Sequence, residues 1–313
     1  MASPVVFLMG PTATGKTQLA AELVQKLPLE IISVDSAMVY RDMDIGTAKP
    51  DKALLQIAPH RLINICDPFE RYSAGNFVTD ARQEIEQIHA TGKIPLLVGG
   101  TGLYFRSLEK GFSSLPAADP DIRDRLTSEL QDQGLDNLYK RLISVDPGSA
   151  DRINQNDPQR IQRALEIYEV TGTPASEWYA KGRENQIEHP VVKIVIAPND
   201  RSLLHNRIEQ RFIKMLDVGL VEEVEALRQR GDLHAGLPSM RMVGYRQVWQ
   251  YLEAKYPYKQ MINKGIIATR QLAKRQYTWL RKEENAHWVD SERVKLSQYL
   301  QNYIESRALY NCT

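Results

Sequence analysis

The 313-residue chain carries 40 Lys and Arg against 39 Asp and Glu, with 42% hydrophobic and 25% charged residues, which is the make-up of a soluble globular protein with one large α/β core and an extra lobe, or two modest domains. It contains no run of eighteen apolar residues, excluding a membrane-spanning helix, and it starts without the basic, apolar and cleavage-site pattern of a signal peptide. Cys66 and Cys312 are its only cysteines, too few for a disulfide framework or a zinc site, and they predict a reducing, cytoplasmic setting.

Residues 4–9 read as a buried strand, 15–26 as a helix with Leu19, Ala20 and Leu23 on one side, and 30–34 as a second strand. Phe77, Ala81, Ile85 and Ile88 recur at helical spacing over 76–91, stopped by Gly92; Ile94 to Val98 is a third strand, and Gly99-Gly100-Thr101-Gly102 opens another helix. Strands separated by helices predict a parallel sheet with right-handed crossovers. Ala-Asp-Pro at 118–120 and Asn-Asp-Pro at 156–158 are helix starts, with a capping side chain and proline at the first helical position. In the second of these helices Ile161, Ala164, Leu165 and Tyr168 share a face, with Gln159, Arg163 and Glu166 away from it and Arg160 at its border. The strand pattern returns at 191–197, followed by helices over 200–216, 220–230, 239–253 and 258–282. The predicted organisation is an α/β core of 1–117 and 189–313 around a helical insertion of 118–188.

Net charge is only +1, yet Lys264, Arg270, Lys274, Arg275, Arg281 and Lys282 fall in one stretch with no acidic residue. Clustered charge sets the potential that a polyanion meets, so this stretch is either a nucleic-acid face or an ordinary solvated helix face.

Gly10, Pro11, Thr12, Ala13, Thr14, Gly15, Lys16 and Thr17 match the phosphate-loop pattern between a strand and a helix. Such a loop turns backbone N–H groups and a helix N-terminus onto a phosphate; Lys16 adds a full charge, and the Thr17 hydroxyl is placed to ligate Mg²⁺. The loop alone is a nucleotide-binding signature and does not say which phosphate compound is held. The third strand ends in Leu-Val-Gly-Gly without the carboxylate of a nucleotide hydrolase. The acid at a strand end is Asp35, nineteen residues after Lys16, where small-molecule kinases with this loop hold their acceptor. Asp35 also reads as a cap for the following turn.

Val34-Asp-Ser-Ala-Met-Val-Tyr40 and Asp44-Ile-Gly-Thr-Ala-Lys-Pro50 are far less generic. With Pro59-His-Arg-Leu62, Leu97-Val-Gly-Gly-Thr-Gly-Leu-Tyr104, Asn156-Asp-Pro-Gln-Arg160, Arg207-Ile-Glu-Gln-Arg-Phe212, Val243-Gly-Tyr-Arg-Gln247 and Thr269-Arg-Gln-Leu-Ala-Lys-Arg-Gln276, the sequence resembles the bacterial tRNA dimethylallyltransferase family over about residues 5 to 282. Met38 departs from the glutamine that many members carry.

The resemblance implies a P-loop NTPase-like fold and transfer of a dimethylallyl group from dimethylallyl diphosphate to the exocyclic amine of adenosine 37 in the tRNA anticodon stem-loop, releasing pyrophosphate. It makes Asp35 the general base, sets Thr101 near the reacting amine, and gives the diphosphate to the loop, Mg²⁺ at Thr17, Arg211 and Arg207. The family's tRNA contacts map onto Asp35, Ser36, Ala37 and Met38; Thr101 and Arg123; Gln159, Arg160, Ile161, Gln162 and Arg163; Arg241, Met242, Val243, Gly244, Tyr245 and Arg246; and Lys274, Arg275, Gln276, Tyr277, Thr278, Trp279, Leu280 and Arg281. Tyr245, Tyr277 and Trp279 are either base-stacking platforms or helix core. A stacked adenine cannot reach a buried diphosphate, so the base is expected to flip into a channel between core and insertion. The protein is expected to act as a monomer.

None of the six histidines has metal-site spacing, and they read as structural. Three further readings are an adenine-nucleotide prenyltransferase, a P-loop small-molecule kinase and an RNA-binding protein with a degenerate nucleotide site. An intact Lys16-Thr17 with Asp35 and Thr101 argues against the last.

Overall fold

Five consecutive residues with no exposure, Val5 to Met9, make the first strand, β1 (Val5–Met9), a central one. It is followed by α1 (Lys16–Val24), β2 (Leu29–Val34), α2 (Lys52–Ile57), β3 (His60–Arg61), α3 (Ala74–Ala90), β4 (Ile94–Gly99) and α4 (Gly102–Lys110). After the helices α5 (Pro120–Gln133), α6 (Leu135–Val145), α7 (Pro147–Ala150), α8 (Pro158–Thr171) and α9 (Ala175–Ala180), the chain returns as β5 (Val191–Ala197). The C-terminal part is α10 (Arg201–Asp217), α11 (Leu220–Gln229), α12 (Tyr245–Leu252), α13 (Tyr258–Leu280), β6 (His287–Asp290) and α14 (Leu296–Ile304). This computed structural model describes residues 3–111, 115–116, 119–180 and 186–309; Ala118 and Cys312 lie outside the described residues.

The six strands form one parallel sheet in the order β3-β2-β4-β1-β5-β6. Val6 pairs with Leu96 on one side and Val192 on the other, and Val34 stands opposite Gly99, so β1, β2 and β4 end together. In such a sheet ligands bind beyond the carboxyl ends of the strands. Apolar residues of β1, β2, β4 and β5 pack with Leu19, Leu23, Leu300 and Ile304 of α1 and α14, while a second cluster under α10–α13 gathers Tyr40, Met43, Phe212, Val224, Tyr245 and Trp249.

The chain divides into two compact units, Met1–Glu109 with Ile187–Thr313, and Lys110–Gln186. The second is entirely helical in its described residues, around Leu126, Leu138, Leu142, Ile161 and Leu165.

Several expectations need correction. The region after β5 is not helical throughout: His287–Asp290 is an edge strand along β5, four residues long with Val289 alone fully buried, a pattern too short to register as alternation. The helix expected over 239–253 begins at Tyr245, because the Gln247 side chain caps the Gly244 amide at 2.9 Å and the Ser239 hydroxyl is drawn to the Pro68 carbonyl at 2.5 Å. Glu166, assigned to the outer face of α8, is 2% exposed. Its burial is compensated by Arg123 at 2.9 Å, Arg163 at 3.1 Å and the Asp119 amide at 3.0 Å.

Candidate active site at the carboxyl edge of the sheet

The loop from Gly10 to Gly15 leaves the end of β1 and delivers α1. A Cβ on Gly10 would lie 2.3 Å from the Ile196 carbonyl oxygen, so only glycine lets the loop leave β1 this close to β5. Ala13 (φ 65°) and Gly15 (φ 81°) are left-handed and curl the backbone between them. Gly15 caps α1 without a side-chain hydrogen bond, leaving the first-turn amides unclaimed by any side-chain cap. Unclaimed amides at a helix start, with a lysine beside them, form an anion cradle.

Lys16 donates to the Pro11 carbonyl at 2.6 Å and lies 3.4 Å from the Thr14 hydroxyl. Burial lowers its pKa from the usual lysine range to about 7, helped by the charge of Arg211 and opposed by Asp35. Arg211 is likewise lowered by burial and supported by Asp35. One carboxylate thus sits within the electrostatic reach of two crowded cations. Two positive groups pressed together in a partly desolvated spot are poised for a multiply charged anion.

Asp35 stands just past the end of β2, where its Oδ1 accepts the Ala37 N–H at 2.8 Å. Among the described residues its Oδ2 has no hydrogen-bond partner. Thr101, just past β4, accepts the Ser36 N–H at 3.1 Å through Oγ1 and donates its own amide to the Val34 carbonyl at 3.3 Å. The turn after β2 is thereby tied to the end of β4, with the carboxylate and the hydroxyl on adjacent strand ends. The Thr17 hydroxyl, in the first turn of α1, has no hydrogen-bond partner among the described residues and is open to a divalent ion at the loop.

Other residues of the expected set are placed differently. Arg207 is engaged by Glu292 at 2.8 Å, so it is no free diphosphate clamp in this structure. Ile161, Tyr245 and Leu280 have no exposure and cannot touch RNA directly: each turns inward within its block. The Tyr245 hydroxyl donates instead to Glu223 at 2.6 Å. Arg123 and Arg163 are held by Glu166. Trp279 stacks on Phe105, with ring centroids 6.1 Å apart, and the Tyr277 ring has the guanidinium groups of Arg201 and Arg281 at 5.8 and 5.9 Å. Exposed positions of the set are Gln159, Arg160, Arg241, Arg246, Lys274, Arg275, Thr278 and Arg281.

Gln276 belongs to the phosphate loop. Its Oε1 accepts the Thr12 amide at 2.8 Å and its Nε2 donates to the Gly100 carbonyl at 3.0 Å. One buried amide on α13 therefore joins the crest of the loop to the end of β4. The sequence offered a clue in its apolar neighbours Ala273 and Leu280, which put Gln276 on the inward side of α13. Glu223 was not singled out at all: it accepts the amides of Asp44 at 2.8 Å, Ile45 at 2.7 Å and Gly46 at 3.0 Å, pinning the Asp44–Pro50 motif. Nothing in the sequence separates it from the adjacent Glu222.

A parallel sheet with a phosphate loop at its carboxyl edge, and an acid and a hydroxyl on the neighbouring strand ends, defines a phosphate-binding α/β protein of the P-loop class. Residues 38–283 match the IPP transferase family and residues 3–68 match isopentenyl transferases. The chain belongs to the IPP transferase family. Two proteins named tRNA dimethylallyltransferase, from Coxiella burnetii strains RSA 331 / Henzerling II and Dugway 5J108-111, are 54% and 53% identical to it over 301 residues, 96% of this chain and 97% of each relative. The crystal structure of a full-length tRNA isopentenylpyrophosphate transferase from Bacillus halodurans superposes with a TM-score of 0.73 at 33% identity, over 99% of this chain and 98% of that one. A eukaryotic dimethylallyltransferase acting on tRNA gives 0.77 at 28% identity, over 97% of this chain and 78% of that one.

Proposed function

We propose that this protein transfers a dimethylallyl group from dimethylallyl diphosphate to the N6 amine of adenosine 37 in tRNA, releasing pyrophosphate. The observation that carries the reading is the pairing of a phosphate loop with an acceptor-side carboxylate, Asp35, whose Oδ2 is unshared, in a chain of the IPP transferase family. The exocyclic amine is a poor nucleophile because its lone pair is delocalised into the ring. As N6 bonds to the allylic carbon, the carbon–oxygen bond breaks and its electron pair leaves with pyrophosphate. The N6 proton passes to Asp35, which lies with Thr101 on the strand ends beside the loop. Charge gathers on the leaving group, where loop amides, Lys16 and Arg211 would offset it. Thr17 would hold Mg²⁺, whose charge offsets that of the diphosphate.

On the RNA side, Lys274 and Arg275 of α13 and Arg281 just past its end, with Arg241 and Arg246, supply phosphate contacts, and Gln159 and Arg160 of the helical unit add more. We take the protein to act as a monomer in the cytoplasm. Among the described residues no helix is long and apolar enough to cross a membrane. The test is mass spectrometry of tRNA nucleosides after incubation with dimethylallyl diphosphate and Mg²⁺. Isopentenyladenosine should appear with wild-type protein and not with Lys16→Ala. Its absence from wild-type reactions would reject the reading.

A further inference from the structure

The amino edge of the same sheet carries a group of side chains that the transfer reaction does not use. Glu86 and His89 lie one turn apart at the end of α3, and His189 lies two residues before β5. The fold brings these histidines together across a hundred positions of sequence, with ring centroids 4.6 Å apart. One ligating atom from each of Glu86, His89 and His189 falls within 4.8 Å of the other two.

The hydrogen bonding leaves this trio incomplete. His89 spends Nε2 on the Pro4 carbonyl at 3.1 Å, and its Nδ1 is buried without a partner. His189 has both ring nitrogens against oxygen: Nδ1 lies 3.0 Å from the Ser3 carbonyl and Nε2 lies 2.9 Å from Glu86 Oε1. An imidazole so placed can carry a proton on each nitrogen. Otherwise it keeps one proton and shares a cation between the other nitrogen and the carboxylate. The first arrangement satisfies His189 but leaves His89 Nδ1 orphaned. The second satisfies all three side chains, and each imidazole then donates its remaining N–H to a backbone carbonyl, the usual outer support of a metal-bound histidine.

We propose that Glu86, His89 and His189 form a site for a divalent transition-metal ion of the zinc type. Two imidazoles and one carboxylate suit zinc and its neighbours better than magnesium or calcium, which prefer all-oxygen shells. Glu86 is 69% exposed at its side chain, so water can complete the coordination from the solvent side. The site sits at the opposite end of β1 from the phosphate loop, roughly 15 Å away at about 3.3 Å per strand residue. The ion therefore takes no part in prenyl transfer. It ties the residues before β1, the end of α3 and the entry to β5, and the helical unit Lys110–Gln186 lies wholly between the two histidines in sequence.

The probes are Co²⁺ and Zn²⁺ added to untagged, EDTA-stripped full-length protein, with millimolar Mg²⁺ present to occupy the loop. One equivalent of Co²⁺ should bind with visible d–d absorption and be displaced by Zn²⁺, and Zn²⁺ should raise the melting temperature. His89→Ala and His189→Ala should each weaken binding at least tenfold and abolish the melting shift, with prenyl transfer measured in Mg²⁺ alone unchanged. Glu86→Gln, a surface change that keeps the fold, should weaken binding too, so the outcome does not hang on the histidine variants folding. No stoichiometric binding, or binding that all three substitutions leave intact, overturns the site.

Discussion

The Asp35 carboxylate has two tasks that substitution can separate. Its Oδ1 holds the Ala37 amide in the turn, while in the proposed reaction Oδ2 takes the substrate proton. Asp35→Asn keeps an acceptor for that amide and removes the base; Asp35→Ala removes both. Each should lower the single-turnover rate at saturating tRNA by about 10²–10⁴-fold while tRNA affinity changes far less. A near-normal rate in the asparagine variant would reduce Asp35 to a turn-former. Lys16 offers a test by pH. In the free protein burial, chiefly, brings its pKa down to about 7. A bound diphosphate restores the charged form, so the pKa rises on binding. Above about pH 7 binding must then draw in a proton, whereas well below 7 Lys16 is already charged and draws none. Calorimetry in buffers of different ionisation enthalpy should show wild type taking up nearly one more proton than Lys16→Arg at pH 8, with the excess vanishing at pH 6, since arginine stays charged throughout. An excess independent of pH would mean that Lys16 titrates elsewhere.

At the scale of elements, α13 presents two faces with separable effects. Lys274 and Arg275 point to solvent, whereas Gln276, the next residue, is 9% exposed and grips the phosphate loop. Neutralising Lys274 and Arg275 together should weaken tRNA binding and reduce the slope of log K against log salt by about 0.7–0.9 for each lost phosphate contact. An unchanged slope would make them an ordinary solvated face. Gln276→Ala should do the reverse, raising KM for the prenyl diphosphate about tenfold or more through a loosened loop, with tRNA affinity and its salt slope preserved. A tRNA-affinity loss without a KM change would return Gln276 to the RNA surface. The contrast shows what the sequence could and could not reveal. Central strands and the loop were legible because β1 and β4 are continuous apolar runs, and β5 is one interrupted only by Lys193, between helix signals. The edge strands β3 and β6 were not, being two and four residues long with little burial to mark them. Site blocks were legible as blocks, but which residue of each block turns inward is decided by packing, as Ile161, Tyr245 and Leu280 show. Glu166 and Glu223 escaped for a related reason. Such an acid is betrayed only by the groups that meet it, and apart from Arg163, one turn from Glu166, those come from distant parts of the chain.

At the scale of the whole molecule, the phosphate loop invites a nucleotide-binding label, and the arrangement around it argues otherwise. Gly10 to Thr17 offer amides, a lysine and an unpaired hydroxyl to linked phosphates, and a prenyl diphosphate presents the same group as a nucleotide. A nucleotide hydrolase adds an acid at the end of the strand next to the loop and a residue that aims water. Here β4, the neighbour of β1 on that side, ends in Gly99, and Thr101 beyond it is tied to Ser36 across the gap to β2. The acid, Asp35, sits just past the end of β2, one strand further out, on the acceptor side. With tRNA, dimethylallyl diphosphate and Mg²⁺, the purified protein should therefore turn over without any nucleotide. ATP should act only as a weak inhibitor, competitive with the prenyl diphosphate, because its terminal phosphates fit the same cradle. Steady-state prenylation with and without ATP, run beside a phosphate-release assay, checks both halves. Strict dependence of transfer on ATP, or tRNA-stimulated ATP hydrolysis at a comparable rate, would show that the loop serves a nucleotide after all.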